Sequence, residues 1–124
     1  MSSYLTFRKG GINLCSFSRS TAMYQAFPSA SYDKWTKVTP DTLRAGIQKL
    51  QADRKEYEKQ IDIYNEMLKQ KLSYEERFST INTIKEFEEE ITDVEFTICK
   101  IYMLIDIAEE KTDGKDYPME WSVD

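Results

Sequence analysis

Two runs of apolar positions, each stepping by threes and fours, fill most of the chain after residue 40. The first is Leu43, Ile47, Leu50, Arg54, Tyr57, Ile61, Tyr64 and Leu68; the second is Ile84, Phe87, Ile91, Val94, Ile98, Ile101, Ile105 and Ala108. That alternation keeps one face of an α-helix turned towards a partner. Thr39-Pro40-Asp41 suits a helix start, with Thr39 as cap, Pro40 at the first helical position and Asp41 at the positive end of the dipole. The first helix should run to about Gln70 and span about 45 Å. Ser73 and Glu76 have the spacing of a capping box and open a second helix. It should run to about Thr112, where Gly114 fits a left-handed stop. Stepping in sevens from Leu68 reaches Glu75, Asn82 and Glu89, which misses the second stripe. One continuous rod would lose its seam, so the chain is expected to reverse at residues 71–73.

Before the helices the period changes to two. Leu5 and Phe7 alternate with Thr6 and Arg8; Ile12 and Leu14 alternate with Asn13 and Cys15; Gly10-Gly11 lies between. This predicts a β-hairpin over Tyr4–Phe17. A short helix follows over Ala22–Phe27, capped by Ser18 or Ser20 and ended by Pro28. Residues 28–32 read as loop, and Lys34–Val38 as a third short strand. The expected fold is α+β and mostly α: a small N-terminal β-hairpin head, then a long antiparallel helical hairpin resembling a coiled coil, assembled as a dimer. The head is placed at 1–38, the helical hairpin at 39–113 and a C-terminal tail at 114–124.

The second helix carries more apolar surface than one partner helix covers. Phe96, Cys99, Met103 and Ile107 form another stripe at helical spacing, and Tyr102 and Leu104 fill the gaps. A helix apolar nearly all round is buried nearly all round. The surplus face calls for a second subunit, giving a four-helix bundle, or for the head folding back along the hairpin. The homodimer is the preferred expectation, with Phe96, Cys99, Met103 and Ile107 as its interface.

Composition narrows the chemistry. The 124 residues contain no histidine, which removes the commonest general base and metal ligand. A Ser or Cys nucleophile would lack its usual partner, so neither catalytic residues nor a metal or other cofactor is expected. The two cysteines, Cys15 and Cys99, are far apart and read as small apolar residues rather than a disulfide framework. No apolar run approaches the length that spans a bilayer, so no membrane role is expected and the location is expected to be cytoplasmic. The net charge of −5 is unevenly spread: residues 1–38 carry +4 and the rest −9. Seven aromatics share that basic head: Tyr4, Phe7, Phe17, Tyr24, Phe27, Tyr32 and Trp35.

Ser16, Ser18, Arg19, Ser20 and Thr21 gather hydroxyls around one guanidinium just before the expected short helix, with Arg8 and Tyr24 near in sequence. Free N–H groups at a helix start and a bidentate Arg suit a small anion such as a nucleotide. The competing reading is that Ser and Thr serve caps and turns. Arg54 interrupts the apolar stripe, either setting register with its head reaching an acid or lining an anion pocket. The acidic run Glu86–Glu95 reads as a solvated helix face, with a docking surface as the alternative. Nucleic acid is disfavoured as a partner.

The opening run Tyr4–Ser20, followed by a charged helical hairpin, resembles small accessory proteins of tailed bacteriophages. Some of these counter host defence by sequestering a signalling nucleotide or blocking a host protein. The resemblance implies a non-enzymatic binder and assigns no functional residue. The expected function is an oligomeric binding protein that blocks a host protein. The alternatives are a sequesterer of a small anionic ligand and a structural or assembly component acting through its helices.

Overall fold

The computed structural model describes residues 4–27 and 35–123. In chain order its elements are β1 (Tyr4–Lys9), β2 (Ile12–Ser18), α1 (Thr21–Ala26), β3 (Thr36–Val38), α2 (Pro40–Leu68), α3 (Tyr74–Lys111) and β4 (Met119–Val123). The expected loop at 28–32, with the helix-ending Pro28, and Lys34 of the expected third strand lie outside the described residues. The chain is α+β and mostly helical, with an N-terminal hairpin and long helices as its pattern predicts.

Gly10 and Gly11 join β1 to β2 with φ of 59° and 77°. Positive φ at both central residues is what a two-residue turn matching the strand twist requires. β1 pairs on its other side with β4, and β4 with β3, so the antiparallel sheet has the order β2-β1-β4-β3. Residues 119–123, grouped with the tail by their sequence position, are thus an interior strand.

One face of the sheet carries the core. Leu5 stands between Phe17 and Val123, and Phe7 between Cys15 and Trp121. The Phe7 ring centroid is 5.4 Å from Phe27, 6.0 Å from Phe17 and 6.4 Å from Trp121, so residues from β1, β2, β4 and the end of α1 meet in one aromatic cluster. Offset and edge-on rings at such separations add to the gain from burial itself.

α2 and α3 form the antiparallel pair. Thr39 caps α2 by accepting from the Thr42 N–H, and Ser73 and Glu76 close a complete capping box on α3. The head folds back onto the pair. Val94, Thr97, Ile101 and Leu104 of α3 are fully buried, and all but Thr97 join the cluster that holds Leu5, Phe7 and Trp121. Burial against the head is therefore part of the answer to the surplus apolar surface. α1 sits close to α2 because residue 46 is glycine: a Cβ there would stand 3.1 Å from the Ala26 carbonyl oxygen. Beyond Leu50, α2 has no fully buried residue. There the two helices have mainly each other, with Phe87 between Tyr57 and Tyr64 at 5.9 and 6.0 Å.

α3 ends at Thr112, whose hydroxyl donates to the Ala108 carbonyl at 2.7 Å. Asp113 and Gly114 take positive φ of 49° and 72°, and the Gly114 N–H reaches back to the Glu109 carbonyl. This reverses the chain and delivers it to β4. No helix among the described residues is long and apolar enough to cross a membrane.

Candidate functional site

The residues suggested for anion binding are placed on three separate supports. Arg8 lies on the sheet face away from the core, its Nε 3.2 Å from Glu120 and its guanidinium carbon 3.8 Å from the centre of the Trp35 ring. Ser16 bonds Thr6 at 3.0 Å on the same face, and Ser18 ends β2 opposite Tyr4. Ser20 is the cap of α1, accepting from the Met23 N–H at 3.2 Å, and Thr21 is that helix's first residue. Arg19 lies over the Tyr24 ring at 4.5 Å. The start of α1, where a bound anion would sit, already holds a carboxylate: Asp93 Oδ2 accepts from the Ala22 N–H at 3.0 Å. Sequence adjacency made this cluster look dense, whereas the Ser16 hydroxyl is taken by Thr6 and the Ser20 hydroxyl by the α1 cap.

Arg54 points out of the helix pair and is 45% exposed at its side chain. It bonds Glu58 on its own helix at 3.1 Å and Glu95 across on α3 at 3.2 Å. The guanidinium thus reaches acids at the edge of an apolar seam, as a long charged side chain does when its head stays in water.

The surplus α3 stripe divides. Ile107 packs partly against the core. Phe96 is 62% exposed, Met103 53%, and Cys99 is also exposed, so most of this face has no cover among the described residues. At the far end of the hairpin Tyr74 and Phe78 stack on each other at 6.5 Å, both largely in solvent. The two thiols differ. Burial pushes the Cys15 pKa up, and nearby Lys111 partly opposes that shift.

A cleft of about 860 Å³ opens elsewhere, between the start of α2, the end of α3, β3 and the loop leading to β4. Its floor is apolar: Val38, Leu43, Ile47, Ile105, Ala108 and Met119. Lys9 enters from β1 in the same cross-strand row as Met119 and Val38, on the face that carries Leu5 and Phe7. Lys37, Arg44, Gln48 and Tyr102 add polar groups, and Glu109, Asp116 and Tyr117 complete the far side. None of the eight ligand candidates named from sequence lines it. The cleft is built by elements far apart in the chain, and no local motif marks it. The alternation of Met119, Trp121 and Val123 was the one available signal, because it would have returned the tail to the sheet. Among the described residues no group of three or more acidic or cysteine side chains converges as metal ligands would.

Comparison with known protein families, curated proteins and solved structures gives no match, so the site is read from its own geometry.

Proposed function

We propose that this is a non-enzymatic binding protein that works as a homodimer joined through the outer face of α3. The observation that carries the reading is the exposure of Phe96 and Met103 on a helix whose inner face is already buried by the head and α2. Large apolar side chains gathered on one helix face mark an interaction surface. A second copy offers the same stripe, so a twofold axis across it covers both at once. The absence of histidine, the commonest general base, favours binding over catalysis.

The test is the mass of the native chain and of Met103→Glu by light scattering across micromolar concentrations. The native chain should be a dimer. Met103→Glu should be a folded monomer, because this side chain is exposed in the protomer and a charge there harms only the contact. Cys99, on the same stripe, should alkylate faster as the native protein is diluted. A native chain that stays monomeric at high micromolar concentration would overturn the reading.

A further inference from the structure

The outer face of α3 extends well beyond Phe96 and Met103. Tyr74, Phe78, Ile81 and Lys85 follow one another at steps of four, three and four, and so do Thr92, Phe96, Cys99 and Met103. All eight residues are exposed. At 3.6 residues per turn they fall within about 60° of arc. The buried Ile84, Val94, Ile101 and Leu104 lie outside that arc. Two apolar clusters therefore stand in line along one helix, with the stacked rings of Tyr74 and Phe78 at the far end of the hairpin.

The spacing reads the same in both directions, so the face is complementary to its own reverse. A twofold axis crossing α3 between Glu88 and Glu89 sets each position of one group against one of the other. Tyr74 meets the partner's Met103, Phe78 the partner's Cys99, Ile81 the partner's Phe96 and Lys85 the partner's Thr92. The charges favour the same direction. Among the described residues Lys85 and Glu89 form no ion pair within the chain. In the antiparallel arrangement each Lys85 comes within one helical turn of the partner's Glu89. A parallel pair instead sets Lys85 on its own copy and aligns the two helix dipoles, and both are unfavourable.

We propose that α3 pairs with α3 of a second copy in antiparallel register, centred between Glu88 and Glu89. The exposed rings at the far end of each hairpin then cover the Phe96–Met103 stripe of the other. This rests on the α3 dimer proposed above and adds its direction, its register and a role for Tyr74, Phe78 and Ile81.

Residues 78 and 99 of one chain stand about 32 Å apart along α3, so a disulfide joining them can form only between copies. The full chain carrying Cys15→Ala and Phe78→Cys, oxidised and digested, should yield linked peptides that join residue 78 to residue 99. Links joining 99 to 99 or 78 to 78 would show a parallel pair and overturn the register. A second measurement keeps Phe78 in place. With Cys15→Ala, Cys99→Ala and Glu110→Cys, a spin label sits on an exposed position beyond the paired residues. The antiparallel dimer should give a label-to-label distance of about 65 Å, from the helical rise on both sides of the axis. A parallel dimer would give about 10–20 Å, the scale of a helix pair with its labels. Light scattering on the same samples separates the two proposals. A monomeric native chain overturns the dimer and the register together. A dimer with the short distance, or one that forms no link between residues 78 and 99, overturns the register alone.

Discussion

The ring of Tyr117 lies directly on the backbone of Gly10. A Cβ at residue 10 would stand 2.7 Å from Cγ and Cδ2 of that ring, inside any permitted contact. The Gly10 N–H also donates to the Pro118 carbonyl at 3.0 Å, so the first turn of the chain and the approach to its last strand are fastened together.

Gly11 supplies the matched control. It too has positive φ, but nothing lies within 4 Å of where its Cβ would be. Gly11→Ala should cost only the left-handed backbone penalty, about 1–2 kcal/mol. Gly10→Ala should cost that plus overpacking, about 2–4 kcal/mol in total. Urea denaturation of both variants, and of Gly10→Ala with Tyr117→Ala, separates the terms. The double variant should recover the steric part. Equal losses for the two glycine variants would mean that the ring moves aside freely.

β4 should be indispensable. It pairs on both sides, and Trp121 is buried against Phe7 and Phe27. Trp121→Ala should cost about 3–5 kcal/mol, the range for an aromatic removed from a core. A chain ending at residue 118 should fail to fold, leaving β1 and β3 each without a partner on that side. Retention of the native circular dichroism and melting transition by the truncated chain would contradict this placement.

What was legible in the chain was local. Ser73 and Glu76 announce the reversal because a capping box is written within four residues, and Gly10-Gly11 announces its turn for the same reason. The partners of β4 lie far away in the chain, in β1 and β3, and a five-residue alternation does not say what it pairs with. The α3 surface needed the fold as well: Leu104 and Phe96 are both apolar, yet one is covered by the head and the other is not. The cleft was illegible for the same reason, since Lys9 and Glu109 share it only after the sheet closes.

Asp93 should hold α1 in place. Its carboxylate accepts from the Ala22 N–H, acting as a cap supplied from another helix. Asp93→Ala should cost about 1 kcal/mol, as loss of a helix cap does. Amide exchange should quicken over residues 21–27 and change little in α2. A uniform change across the molecule would show that α1 is not held separately by this contact.

Arg54→Ala should be mild despite its place in the apolar stripe. Its pairs with Glu58 and Glu95 are about half exposed, and such pairs contribute under about 1 kcal/mol. A loss of several kcal/mol in thermal or urea unfolding would mean that the guanidinium is not in solvent.

The two thiols should separate by reactivity. Cys15 is half-buried on β2, and burial, opposed in part by Lys111, raises its pKa above the ordinary thiol value. Only the thiolate alkylates readily, so Cys15 should react more slowly than exposed Cys99. The comparison is best made by mass spectrometry with iodoacetamide in Met103→Glu, where the α3 face is open. Lys111→Gln should slow Cys15 further, because it removes the charge that favours the thiolate. The sign for stability follows: a raised folded pKa makes this contribution full below the unfolded thiol value of about 8.5, and it is lost as pH rises through the folded value. Cys15→Ala should therefore flatten the fall in stability between about pH 8 and pH 10 relative to Cys99→Ala. Equal alkylation rates for the two thiols in the folded protein would remove the basis for that difference.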